Sequence, residues 1–130
     1  MIADRSDMPP AGPLVFLVDD DDAVRDSLQL ALEAEGFAVA TFSSGQAALA
    51  SLAQTRPACM VLDVNMPTLG GPAIVDALAA RHIRVPVVMI TGDIRRGTQQ
   101  RALQGGADAV LQKPVTGAEL AAAIRQTQPA

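Results

Sequence analysis

A chain of 130 residues, 49% hydrophobic and 18% charged, has the size and balance of one globular domain. Its net charge of −4 disfavours direct nucleic-acid binding by this domain, which needs clustered Lys and Arg, and its single Cys59 and single His82 exclude a disulfide framework and a Cys/His zinc site. No apolar stretch reaches the ~18–20 residues of a membrane span and the amino-terminal stretch lacks a signal peptide's apolar core, so a cytoplasmic protein without membrane contact is expected.

Residues 1–13 form a polar, Pro-containing lead-in that is expected to be flexible, and residues 14–128 are expected to form the domain. The run Leu14-Val15-Phe16-Leu17-Val18 reads as a first buried strand. Val24, Leu28, Ala31 and Leu32 then recur at helical spacing behind Asp22, a suitable amino-terminal cap, and Gly36 stops that helix. Residues 37–41 read as a second strand, and residues 44–54 as an Ala/Leu helix capped by Ser43 or Ser44. Met60-Val61-Leu62 is a third apolar run that leads into Asp63. Pro72 sits where a first-turn proline belongs and opens a helix with Val75, Leu78 and Ala79 inward. A fourth run, residues 85–90, ends at Thr91, and residues 98–104 are a polar helix closed by Gly105-Gly106. Ala109-Val110-Leu111-Gln112 leads into Lys113, and Thr116 caps a last helix that buries Leu120, Ala121 and Ile124.

Five strands alternating with five helices predict an α/β fold, a doubly wound (βα)5 unit whose five-stranded parallel sheet is covered on both faces. Right-handed crossovers and the flavodoxin-like strand order 2-1-3-4-5 set the first and third strands at the reversal point, where ligand sites form. Four strand ends then open on one edge: Asp19 and Asp20, Asp63, Thr91 and Lys113. Three convergent carboxylates repel, by roughly 4 kcal/mol per pair at about 4 Å and an effective dielectric of 20, and so call for a cation. All-oxygen ligands without His or Cys suit Mg²⁺, for which Mn²⁺ can substitute, and the backbone carbonyl of Asn65 is placed to complete the shell. Asp63 is the natural nucleophile for an aspartyl phosphate, with Lys113 pairing one phosphoryl oxygen and the Thr91 hydroxyl donating to another. Asp21 and Asp22 read as a dipole-friendly helix start, Cys59 as a small core residue, and His82 as a surface residue near a helix end. Arg95, Arg96 and Arg101 read as a solvated face of the polar helix.

In this order and spacing the residues resemble the receiver domain of two-component response regulators, the CheY-like fold, over residues 15–126. Val18-Asp19-Asp20-Asp21-Asp22-Ala23-Val24-Arg25 resembles the acidic-pair motif, and Val61-Leu62-Asp63-Val64-Asn65-Met66-Pro67 with Gly70-Gly71 resembles the phosphoacceptor motif. Ile90-Thr91-Gly92 and Lys113-Pro114 match the remaining two, and the first half is most similar to regulators of the FixJ type. The resemblance implies that Asp19 and Asp20 hold the metal and that Asp63 accepts phosphate from a histidine kinase or a histidine phosphotransfer protein. It also implies that Thr91 and Lys113 sense the phosphate, that a downstream effector protein or domain reads the result, and that the Lys113–Pro114 peptide is cis. Asn65 and Asp93, each two residues beyond a site residue, are expected to tune phosphoryl lifetime by flanking the path of an attacking water. One departure stands out: receivers usually carry Phe or Tyr three residues before the Lys, and this chain has Val110. A valine is too short to swing between buried and exposed positions, so only a weak homodimer is expected to form on phosphorylation. Two competing readings are a pseudo-receiver that no longer switches, favoured by Val110, and a small aspartyl-phosphate hydrolase. The hydrolase reading is disfavoured because Asp63-Val64-Asn65 lacks a second acid and no residues remain for a cap domain.

Overall fold

The computed structural model describes residues 12–128, except residue 65, residues 67–68 and residues 93–95. All but the last two residues of the expected lead-in therefore lie outside the described residues. Strands β1 (Leu14–Val18), β2 (Ala38–Phe42), β3 (Cys59–Asp63), β4 (Val87–Thr91) and β5 (Ala109–Gln112) alternate with helices. These are α1 (Asp22–Ala34), α2 (Gly45–Ser51), α3 (Gly71–Ala80), α4 (Arg96–Gln104) and α5 (Gly117–Thr127). All pairings are parallel and the sheet order is β2-β1-β3-β4-β5, as the alternation predicts.

The period-2 alternation of strand side chains divides the core into two layers. Phe16, Val18, Met60, Leu62, Val87 and Met89 face one side with Leu49, Ile74, Leu78 and Ala102 from α2, α3 and α4. Val15, Leu17, Cys59, Val61, Val88 and Ile90 face the other with Leu28, Leu32, Leu120 and Ile124 from α1 and α5. Both faces of the central strands are thus dry, which is why they read as continuous apolar runs and not as alternating ones.

Several boundaries differ from expectation for local reasons. Helix α1 is capped by Asp21, not Asp22: the Asp21 side chain accepts from the Val24 amide, and Asp22 becomes a first-turn acid. Strand β2 starts one residue late because the Phe37 amide is spent on the Leu32 carbonyl, closing a Schellman turn with Gly36 at φ +99°. Helix α2 is shorter than residues 44–54, with Ser44 as its cap. In α3 the buried stripe is Ile74, Val75 and Leu78, while Ala79 is exposed. At 3.6 residues per turn Ala79 falls roughly 90° from the centre of that stripe. Helix α5 keeps its Thr116 cap and buries Leu120, Ala121 and Ile124 as expected.

Candidate functional site

The register brings the strand ends together as a staircase. Val18 pairs with Leu62, so Asp19, one step past β1, lies alongside Asp63, the last residue of β3. Asp63 is level with Ile90, and Thr91, the last residue of β4, is level with Gln112, one residue before Lys113. The Asp19 amide donates to the Phe42 carbonyl (3.1 Å) and the Lys113 amide to the Thr91 carbonyl (2.8 Å), which ties both loops to neighbouring strand ends. Gly70 can approach the residue after Asp63 only because it has no side chain: a Cβ there would lie 2.5 Å from the Val64 carbonyl oxygen.

Carboxylate oxygens of Asp19, Asp20 and Asp63 lie within 4.8 Å of one another. Among the described residues, the buried polar or charged side chains are Asp19, Asp63 and Thr91, and all three stand at the carboxyl ends of β1, β3 and β4. Lys113 Nζ donates to Asp63 Oδ2 at 2.8 Å and stands 4.0 Å from Asp19 Oδ2. Burial pushes the Asp19 carboxyl above its ordinary value, with Asp63 and Asp20 adding repulsion, against the amide of Asp21 and the charge of Lys113. Burial also acts on Lys113, pulling it down, but the hydrogen bond and charge of Asp63, with Asp19 and Asp20, outweigh it and hold the ammonium above its ordinary value. Three carboxylates and one ammonium leave a surplus of two negative charges in the crevice. An all-oxygen set with that surplus fits one hard divalent cation.

Asp19, Asp20, Asp63 and Lys113 are therefore gathered as expected, Thr91 is buried at the end of β4, and the Lys113–Pro114 peptide is cis. Val110 lies level with Met89 on β5, half-buried against the layer that contains Val75, Met89 and Ala102. Asn65, Asp93 and Arg95 lie outside the described residues, as does the side chain of Arg96; Arg101 is exposed on α4. Two features were not singled out from sequence. Arg25, the last residue of the acidic-pair motif but given no role of its own, reaches back from α1 to donate to the Asp19 carbonyl at 2.8 Å. A cavity of about 430 Å³ opens beside Lys113, walled by Val24, Leu28, Ile90, Pro114 and Val115. Its walls come from three separate segments, which leaves no local pattern to read.

Residues 15–125 match the response regulator receiver domain. The chain belongs to that family. Within it, the chain is similar to the transcriptional regulatory protein PrrA of Mycobacterium tuberculosis, 42% identical over 113 residues, which cover 87% of this chain and 48% of PrrA. It is also similar to the transcriptional regulatory protein FixJ of Bradyrhizobium diazoefficiens, 36% identical over 89% of this chain and 58% of FixJ. The chain thus spans about half the length of the curated relatives it matches. Among solved structures, FixJ-N superposes with a TM-score of 0.82 at 31% identity, covering 88% of this receiver and 92% of that chain. A Francisella response regulator receiver domain superposes at 0.84 with 24% identity, covering 89% and 96%, a likeness of fold alone. Membership excludes the hydrolase reading, because receiver domains do not turn over a separate substrate. Among the described residues no helix is long and apolar enough to cross a membrane.

Proposed function

We propose that this receiver, taken as residues 14–128, accepts a phosphoryl group on Asp63 and thereby switches its contacts with an effector. The donor is a phosphohistidine of a histidine kinase or of a histidine phosphotransfer protein, and the setting is the cytoplasm. The observation that carries this reading is that, among the described residues, the buried carboxylates of Asp19 and Asp63 meet Asp20 in one crevice where Lys113 already grips Asp63. A carboxylate oxygen of Asp63 forms the new O–P bond as the donor's N–P bond breaks, and the electron pair returns to the imidazole nitrogen. Asp19, Asp20 and Asp63, with the Asn65 carbonyl, would hold the Mg²⁺ (or Mn²⁺), which supplies charge neutralisation on the transferring group. Lys113 pairs a phosphoryl oxygen once the new group competes for its ammonium, and Thr91 donates to a second. From their positions in the sequence, two residues beyond Asp63 and Thr91, Asn65 and Asp93 would tune the attack of the water that ends the signal and keep its lifetime short.

The pseudo-receiver reading finds support only in Val110. Three repelling carboxylates kept in one place argue against it, since a module that never binds a cation gains nothing from that repulsion. Val110 bears instead on output: with a short side chain held against α4, phosphorylation reshapes the α4–β5 face modestly and supports only a weak homodimer. PrrA and FixJ are named transcriptional regulatory proteins, and by analogy the output here is transcriptional; nucleic-acid contact falls to an effector, because this domain is acidic.

Intact mass after acetyl phosphate and Mg²⁺ treatment tests the core of the proposal. The natural chain should gain one phosphoryl group and Asp63→Asn none. Undiminished labelling of Asp63→Asn would remove Asp63 as the acceptor.

A further inference from the structure

The acidic turn between β1 and α1 carries a device that the site residues alone do not explain. Asp19 is held at three of its backbone and side-chain atoms. Its amide donates to the Phe42 carbonyl (3.1 Å), its Oδ1 accepts from the Asp21 amide (2.9 Å), and its carbonyl accepts from Arg25 Nη1 (2.8 Å). The first two are the strand-end and turn contacts that any acidic loop makes. The third is a long side chain sent backwards from the first turns of α1 to a single peptide group. Arg25 is well buried for an arginine, with its side chain 15% exposed, and its other terminal nitrogen is taken by Asp22, itself 83% exposed. The peptide it holds is the one that joins Asp19 to Asp20. Its orientation decides where the exposed Asp20 carboxylate stands relative to the buried pair.

We propose that Arg25 is a positioning residue for the cation site, fixing the Asp19–Asp20 peptide so that both carboxylates meet Asp63. This rests on the reading of the crevice as a divalent-cation site. The sign of the effect separates the proposal from a purely electrostatic role. A guanidinium bonded to the backbone of the acidic turn opposes cation binding through its charge, so removing it should tighten binding if charge were all it contributed. A positioning arginine acts in the opposite direction: the carbonyl is freed, the turn relaxes, and the cation binds more weakly. Partners that orient metal ligands are typically worth about 10–100-fold in metal affinity.

The test is a Mg²⁺ titration by calorimetry, run on the whole chain without any phosphodonor. Arg25→Met should weaken Mg²⁺ binding by about tenfold, toward the lower end of the range for such partners. Arg25→Lys, which keeps one donor for the carbonyl, should recover part of that loss. Asp22→Asn, which leaves the Arg25–Asp19 contact in place, should stay within about twofold of the natural chain, since an exposed ion pair contributes little. Far-UV circular dichroism of the metal-free variants separates a misplaced turn from a misfolded chain. Should Arg25→Met fail to fold, Arg25→Lys against Asp22→Asn carries the comparison alone. Unchanged or tighter Mg²⁺ binding in a folded Arg25→Met, or in Arg25→Lys if Arg25→Met does not fold, overturns the proposal. No saturable binding to the natural chain overturns the cation-site reading itself, and the positioning role with it.

Discussion

The two edges of the sheet are built from the same strands and solve opposite problems. At the carboxyl edge, Asp19, Asp20, Asp63 and Lys113 converge with two negative charges left over. At the amino edge, polar groups find partners inside the domain. Asp108 Oδ2 accepts from the Val87 amide (2.8 Å), the Asp108 amide donates to the Val87 carbonyl (2.8 Å), and Gln128 Nε2 caps the Ala58 carbonyl (3.0 Å). Arg125 donates to the Glu35 carbonyl (2.8 Å) and lies 5.3 Å from the Phe37 ring centroid, clamping α5 to the end of α1. Concavity does not tell the edges apart. A cavity of about 450 Å³ lies at the amino edge between the ends of α3 and α4, against about 430 Å³ beside Lys113. What differs is the residual charge. In a parallel α/β sheet the helices also point their positive amino ends at the carboxyl edge, so anions and their counter-ions gather there.

That contrast breaks most visibly under Mg²⁺. A ligand present at 100 times its Kd stabilises the folded state by about 2.7 kcal/mol, and the proposed site should deliver a shift of that order. Asp20→Ala should remove most of it. The metal-free variant should be no less stable than the natural chain, because an exposed member of a repelling trio is gone. Asp108→Ala should do the reverse, costing about 1–2 kcal/mol by stripping the Val87 amide of its partner while leaving the Mg²⁺ shift intact. Thermal melts with and without Mg²⁺ check both. Equal loss of the shift in the two variants would mean that Mg²⁺ acts by general screening.

The carboxyl edge was the legible one. Each of its residues terminates an apolar run, so strand pattern and chemistry coincided at Asp19, Asp63, Thr91 and Lys113. The doubly wound order followed from strict alternation, and the Gly36 and Gly105-Gly106 stops were readable as chain punctuation. Less was readable where the signal was degenerate. Four consecutive aspartates offered equivalent caps, and only the observed backbone chose Asp21. A run of alanines hid which of them face inward, so Ala79 was misplaced. Arg25 closes the acidic-pair motif, yet its role was opaque because its partner is a backbone carbonyl, and a carbonyl has no sequence signature.

An alkaline titration sharpens the comparison from the core outward. Burial pushes the Cys59 thiol up from 9.0 to about 11. The folded state thus holds its proton where the unfolded chain releases it, so this contribution is complete below pH 9 and is lost as pH rises toward 11. By about pH 10 the loss should reach roughly 1.4 kcal/mol, one pKa unit of linkage. Cys59→Ala should flatten that part of the profile in urea melts, and the native thiol should resist alkylation. A profile equally steep in Cys59→Ala would assign the alkaline loss to other groups.

The smallest expected effect lies at the end of α3. Three helices end in Schellman turns at the amino edge, and two of them place glycine in the left-handed position, Gly36 at φ +99° and Gly106 at φ +119°. The third uses His82, at φ +56°, with its amide on the Ala79 carbonyl and the Ile83 amide on the Leu78 carbonyl. A side chain in that region costs roughly 1–2 kcal/mol, whereas glycine enters it freely and loses part of the advantage through a more flexible unfolded chain. The side chain of His82 is exposed and joins none of the hydrogen bonds found for the described residues, so little contact is lost with it. His82→Gly should therefore raise stability by about 0.5–1 kcal/mol, read as a higher urea midpoint at an unchanged slope. Because the turn lies at the far edge from Asp63, neither the Mg²⁺ shift nor the phosphoryl gain should move. A stabilised variant with altered Mg²⁺ affinity would show that the two edges are coupled through α3, and the contrast between them would need redrawing.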